Sequence, residues 1–272
     1  MKYKIIASDL DGTLLNSAGE LSEENLFAIR ELHARGAFFV PASGRSLSEI
    51  PKVLRDDESI RFYIHSSGAG IYDKQTGENL SFGFPFSLSK EIFELVFSLD
   101  CHVTVRRGGR MLTDSEKTSD DAMLAYNVYP AHVRLLRTAG EGIENFEVAM
   151  RASESVDMIS LFFKTYTEIE NAKSELLKIK GIGVVSACDY NLEITYSKAG
   201  KGNALSTLAE SLGVKISETI AIGDSENDLQ MLKAAGLGIV PSNAAADIRE
   251  KAMDVSCSND ENVVPYILEK YF

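Results

Sequence analysis

Short apolar runs that stop abruptly at small polar residues recur along this chain, alternating with stretches of helical periodicity. Residues 4–8 run into Asp9-Leu10-Asp11-Gly12-Thr13, 37–40 into Ala42-Ser43-Gly44-Arg45, 62–65 into Ser66-Ser67-Gly68, and 219–222 into Gly223-Asp224. Runs this compact and apolar suit buried strands, and the stretches between them suit helices. Ser22 is placed to cap a helix over 23–34, on which Leu26, Ile29 and Leu32 share a face, and Gly36 follows as its stop. Helices are likewise expected over 203–212, 226–235 (capped by Ser225), 244–252 and 263–271, with a strand at 237–240. Strands that alternate with helices build parallel βαβ units.

The texture changes between about 84 and 190. A helix (89–99), a strand (102–106) and a Gly108-Gly109 hairpin turn into a second strand come first. A less regular charged stretch follows, then a strand (158–163), a helix (168–179) and strands around 184 and 192–196. The expected fold class is α/β: a Rossmann-like parallel-sheet core of residues 1–83 and 191–272, with an inserted α+β domain at 84–190.

The chain's 272 residues carry 28 Lys and Arg against 40 Asp and Glu, a formal net charge of −12. A surface of that sign repels a phosphate backbone, so no nucleic-acid partner is expected. Small anions are not excluded, because a local group of cationic side chains and metal overrides the global sign. Cys101, Cys188 and Cys257 are scattered, without metal-type or redox-type spacing, so reduced thiols and a cytoplasmic location are expected. The strand-like run before Asp9 is too short for a signal-peptide core, and no apolar run approaches a bilayer span. No membrane partner is expected.

In open parallel sheets ligands sit at the carboxyl ends of the strands, so the loops are candidates to converge on one site. At a strand end, residues two apart point the same way, which turns the Asp9 and Asp11 carboxylates towards one spot. Such a pair repels itself unless a cation or shared proton relieves it, and magnesium suits one or two carboxylates with waters and phosphate oxygens. The plainer alternative is an Asp- and Gly-rich turn that caps a helix. An EF-hand loop lacks its alternating ligands and distal Glu. Ser43-Gly44-Arg45 offers a hydroxyl and backbone N–H groups to a phosphate oxygen, or is simply a helix cap. Lys201-Gly202 opens a helix after Gly200. Lys201 there reaches a phosphate as a point charge or is a solvated surface lysine, with Lys198 as a competitor. In Gly223-Asp224-Ser225-Glu226-Asn227-Asp228, Asp224 ends a strand while Asn227 and Asp228 fall at i+3 and i+4. That exceeds what capping needs and suits a metal.

Together, Asp9-x-Asp11-Gly12-Thr13, Ser43-Gly44-Arg45, Lys201-Gly202 and Gly223-Asp224-x-x-Asn227-Asp228 resemble the signature motifs of the haloacid dehalogenase superfamily of phosphohydrolases. The insertion between the second and third motifs is similar to the Cof-type branch with an α/β cap, and the resemblance spans the whole chain. It implies a phosphatase in which Asp9 attacks phosphorus to form an aspartyl-phosphate, while Asp11 protonates the leaving alcohol and then activates water. It implies Mg2+ held by Asp9, Asp224 and the Asp11 backbone carbonyl. Ser43, Gly44, Lys201, Asn227 and the N–H of Leu10 would grip the phosphoryl oxygens, with Asp228 behind them orienting Lys201 or a metal-bound water.

The substrate implied is a small phosphorylated metabolite, a hexose phosphate first, taken by a monomer or weak homodimer. Arg45, Ser67 and Gly68 are the candidate contacts to the leaving group. Here the chain departs from the branch, whose members commonly carry Asn-Gly where this one has Ser67-Gly68, and proline where it has Ser46. Within the insertion, His102, Arg106, Arg107 and Arg110 form the densest basic cluster, which reads as a hairpin with solvated arginines in preference to a second anion site. Two alternatives stand beside the phosphatase: a phosphomutase of the same superfamily, and a phosphosugar-binding regulator without turnover. The intact Asp9, Asp11, Lys201 and Asp224 favour an enzyme.

Overall fold

The computed structural model describes residues 2–186 and 188–272. The chain divides into two compact units. One holds the chain up to Gly44, Ile50–Leu80 and Gly200–Phe272; the other holds Arg45–Glu49 and Ser81–Ala199.

In the first unit a parallel sheet runs in the order Asp254–Ser256, Leu237–Pro241, Thr219–Ile222, Ile5–Ser8, Phe38–Pro41. A bridge from Ala42 to Ile64 continues the order to Phe62–His65, which pairs antiparallel with Gly70–Asp73. Ile5–Ser8 and Thr219–Ile222 are buried along their whole length, so they read as continuous apolar runs without polar alternation. Ser8 lies in register with both Ile222 and Pro41. The residues that follow each strand therefore leave the sheet at the same edge, its carboxyl end.

The helices set where those loops go. Ser22 caps Glu23–Ala34 by accepting the Asn25 N–H at 3.1 Å. Its buried face is Asn25, Ala28, Ile29 and Leu32, with Leu26 only half-buried. Asn25 is inside because it satisfies two backbone groups: it donates to the Leu14 carbonyl at 3.2 Å and accepts the Val264 N–H at 3.0 Å. The first loop and the helix Val263–Tyr271 are thereby pinned to one side chain. The helix expected from 203 starts earlier, as Lys201–Ser211, and the one expected over 244–252 is a single turn, Ala246–Arg249.

The second unit contains a sheet in the order Ile182–Val185, Asn191–Tyr196, Met158–Phe162, His102–Arg107, Arg110–Asp114, Gly140–Ile143, antiparallel except for the last pair. On one face Val103, Val105, Leu112, Ile159, Leu161, Leu192 and Ile194 pack against the apolar sides of Phe86–Val96, Phe146–Arg151 and Tyr166–Leu176. The charged stretch read as irregular holds Asp120–Ala125, Pro130–Ala139 and the edge strand Gly140–Ile143. Pro130 looks like a breaker but occupies the first helical position, where its missing N–H costs nothing.

Asn191–Tyr196 is an inner strand of this second sheet, so the unit runs on to Ala199 and does not end at 190. The basic cluster is solvated only in part: Arg110 is exposed and Arg107 half-buried, but Arg106 is not. His102, Thr104 and Arg106 share the second face of their strand and are buried, whereas Arg107 donates to Ser153 Oγ at 2.8 Å and Arg110 pairs with Glu141. Strand alternation splits the cluster between two faces.

Candidate active site

The sheet's carboxyl edge delivers Asp9, and the chain turns at once. Asp9 donates its N–H to the Ile222 carbonyl at 2.9 Å, and the Leu15 N–H folds back onto the Leu10 carbonyl at 2.8 Å. Leu10 is buried inside this turn. Because the backbone is no longer extended past Asp9, the two carboxylates part company: Asp9 is 5% exposed, while Asp11 is an exposed residue. Gly12 has φ +77, and a Cβ there would stand 2.6 Å from Asp224 Oδ2. A glycine is required both for the left-handed turn and for the approach of Asp224.

Asp224 enters from the neighbouring strand, half-buried, and accepts the Thr13 hydroxyl at 3.0 Å. Behind it Ser225 and Asp228 form a reciprocal helix cap, with the Ser225 N–H and Oγ each 3.1 Å from Asp228 Oδ2. Asp228 is thereby driven inwards and is fully buried. Asn227 remains exposed, its amide oxygen accepting the Ser225 hydroxyl at 2.8 Å.

Lys201 completes the group. Its ammonium lies 2.6 Å from Asp9 Oδ1 and 2.7 Å from Asp228 Oδ1, with no exposed side-chain surface. Burial pulls a lysine towards the neutral form, but Asp228 and then Asp9 hold this one above its usual range. Asp9 goes the other way. Burial raises its carboxyl well above the ordinary value against the pull of Lys201, and the charges of Asp228 and Asp11 raise it further. Burial and the Asp228 charge also raise Asp224.

Ser43 and Ser67 bind the second and third loops together. Ser43 donates its N–H to the Ile64 carbonyl at 3.0 Å and accepts the Ser67 N–H at 3.0 Å. Ser66, Ser67 and Gly68 are all left-handed, at φ +50, +55 and +86. A Cβ on Gly68 would stand 2.2–2.5 Å from the backbone of Gly200 and Lys201. Gly68 thus seats the start of the lysine's helix, a packing reason for a glycine that the sequence suggested as a leaving-group contact. Gly44 lies beside Ser67, since a Cβ on it would be 3.3 Å from Ser67 Oγ. Arg45 belongs to the second unit, where its Nη1 donates to the Glu49 carbonyl at 3.1 Å.

Sequence reasoning quotes Thr13 in the first motif without giving it a role, and misses Asn243. Asn243 donates to the Gly12 carbonyl at 2.8 Å and accepts the Asn259 N–H at 2.9 Å, bracing the first loop from the other side. Thr13 carried a signal, its place in the first motif; Asn243 carried none.

One oxygen from each of Asp9, Asp224 and Asp228 falls within 4.8 Å of the others, the group of this kind found among the described residues. These carboxylates face a single ammonium, so the group carries an excess of negative charge. An all-oxygen donor set with unrelieved charge fits a hard divalent cation such as magnesium.

This fold and this site define a hydrolase of the phosphatase kind. The sequence matches the family model described as haloacid dehalogenase-like hydrolase over residues 6–268, and the chain belongs to that family. It is 30% identical to the phosphatase YwpJ of Bacillus subtilis, covering 98% of this chain and 99% of the relative. It is also 30% identical to the B. subtilis protein named 5-amino-6-(5-phospho-D-ribitylamino)uracil phosphatase YwtE, covering 98% and 97%. The crystal structure of TM0651 from Thermotoga maritima superposes with a TM-score of 0.83 at 27% identity, covering 99% of this chain and 98% of that one. Enzymes of the family generally use Mg2+. Among the described residues no helix is long and apolar enough to cross a membrane.

Proposed function

We propose that the chain hydrolyses small phosphate monoesters through an aspartyl-phosphate on Asp9, with Mg2+ held by Asp9, Asp224 and the Asp11 backbone carbonyl. The carrying observation is the Lys201 ammonium held between the buried Asp9 and Asp228 beside the half-buried Asp224, an acidic group with one cation. When bound, the metal supplies charge neutralisation for the incoming dianion.

The protein's own residues do the rest. Ser43, the Gly44 and Leu10 N–H groups, Lys201 and Asn227 hold phosphoryl oxygens, and such fixed donors act on charge in the transition state. An Asp9 carboxylate oxygen bonds to phosphorus as the ester P–O bond breaks, and Asp11 gives its proton to the departing alkoxide. Asp11 then takes a proton from water, whose oxygen bonds to phosphorus and releases Asp9. The exposure of Asp11 suits this role, because the group must meet both leaving alcohol and water. Asp228 orients Lys201 from behind.

For the substrate we favour sugar phosphates and related polyol phosphates. YwtE, at 30% identity, is named for a substrate with a phosphorylated ribityl chain. Free thiols at Cys101, Cys188 and Cys257 support a cytoplasmic location. We take the working form to be a monomer or weak homodimer, and expect neither nucleic acid nor membrane as partner.

The test is phosphate release from a panel of sugar phosphates, nucleotides, flavin mononucleotide and pyridoxal phosphate, with and without Mg2+ and without a bisphosphate activator. Metal-dependent release is expected, and Asp9→Asn should lower it by about 10⁴-fold or more while the protein stays folded. Near-normal turnover in that variant would sink the mechanism.

A further inference from the structure

The second unit includes a segment, Arg45–Glu49, that follows directly on Ser43-Gly44. Arg106 anchors it. The Arg106 Nε and Nη2 atoms reach Glu49 Oε2 and Oε1 at 2.8 and 2.9 Å, with side-chain exposures of 4% and 0%. Ser160 Oγ, 2.9 Å from Arg106 Nη1, fixes the guanidinium from the sheet. The same Glu49 carboxylate accepts the Ser46 N–H at 2.6 Å, and the Ser48 N–H donates to the Gly109 carbonyl at 2.9 Å.

Burial pushes the Glu49 carboxyl up, but the Arg106 charge and the hydrogen bonds of Arg106 and Ser46 hold it below its ordinary value. The pair is therefore ionised at neutral pH. A forked, buried pair is geometrically specific, and separating it strands an uncompensated charge. Only Arg45 stands between Gly44 and the anchored Ser46, and one residue spans at most about 3.6 Å. The segment has almost no slack.

We propose that Arg106 and Glu49 are positioning residues for phosphate binding. Their pair fixes the segment that continues directly from Ser43-Gly44, and so the stance from which that loop meets the phosphoryl group. The proposal rests on the assignment of Ser43 and Gly44 to phosphate binding.

Inorganic phosphate is the probe, used with the full chain and Mg2+, because it occupies the loop without a leaving group. Glu49→Gln and Arg106→Lys should each raise the inhibition constant of phosphate by roughly ten-fold. The double variant should be no worse than the weaker single, because both act on one link. Effects that multiply would mean two independent sites and overturn the proposal. So would unchanged phosphate inhibition in folded variants with only a lowered Tm, since the pair would then merely stabilise the inserted unit.

Ser43→Ala separates this proposal from the functional reading beneath it. If that variant also leaves phosphate inhibition unchanged, the phosphate assignment fails; if it alone weakens inhibition, the coupling fails. Should the charge variants not fold, hydrogen exchange on the unaltered protein decides. Saturating phosphate should slow the Ser46 and Glu49 amides together with His102–Arg107, and protection confined to Ser43 and Gly44 would overturn the link.

Discussion

Lys201 donates to Asp228 at 2.7 Å, and neither side chain has any exposed surface. A lysine at the start of a helix faces the positive end of the helix dipole, and full burial disfavours its charge as well. Only the carboxylates make the position tenable. Lys201→Met should therefore leave Asp9 and Asp228 buried against each other and destabilise the fold by about 3–5 kcal/mol. Urea denaturation reads the first effect. Phosphate release reads a second, a fall of about 10² or more. A variant as stable as the parent would show that the carboxylates relieve themselves another way.

Divalent metal should stabilise the protein, because it binds the folded acidic group and not the dispersed one. At a hundredfold excess over Kd the gain is about 2.7 kcal/mol. Thermal melts with MgCl2, with EDTA and with NaCl at matched ionic strength will measure it. Asp224→Asn should remove most of the magnesium shift. An equal shift in that variant would place the ion elsewhere.

Gly68 has two reasons to be glycine, its φ of +86 and the Gly200–Lys201 backbone 2.2–2.5 Å from where a Cβ would sit. Gly77, at φ +74 with nothing within 4 Å, has only the first. Gly77→Ala should thus cost about 1–2 kcal/mol. Gly68→Ala should cost more, and should lower turnover because the displaced helix carries Lys201. Equal losses in the two variants, with full activity in both, would refute the packing argument.

The inserted unit should weaken in acid. Burial holds His102 down to about 4, and burial with the Arg106 charge holds His132 down to about 3. Both folded values lie below the unfolded value near 6.5. The unfolded chain then binds more protons, so stability is complete above about pH 6.5 and is lost as pH falls towards 4 and 3. Each histidine contributes up to about 1.4 kcal/mol per pH unit in that window. Urea midpoints from pH 7.5 to 4.5 should fall, and less steeply in His132→Leu. The two curves running parallel would exclude His132 as a source.

The strand ends that carry Asp9, Ser43 and Asp224 are legible because a strand buried on both faces cannot alternate, so the switch to small polar residues is abrupt. Long-range polar bonds leave no such trace. Thr13 serves Asp224 across 211 residues, and Glu49 serves Arg106 across 57. Read locally, Arg106 is a solvated charge; only the fold supplies the partner that lets it be buried. Asn25 misleads in the same way, because its inward place depends on backbone groups at Leu14 and Val264. The boundary near 190 is hard to place locally, because the strand at 192–196 carries the texture of the inserted segment past it and only its pairing with Met158–Phe162 assigns it.

The pairing of Ile5–Ser8 with Thr219–Ile222 has a consequence for how the enzyme comes into being. The two strands are separated by more than two hundred residues, and contacts so distant in sequence form late. At ~5–20 residues per second, a ribosome needs on the order of ten seconds or more between making Asp9 and making Asp224. During that interval the acidic loop exists without Lys201, Asp224 or its neighbouring strand. On the proposed mechanism, an N-terminal fragment that lacks Lys201 and Asp224 should be inactive. Recovered turnover during refolding therefore marks the closing step of assembly, after the local helices and hairpins have formed.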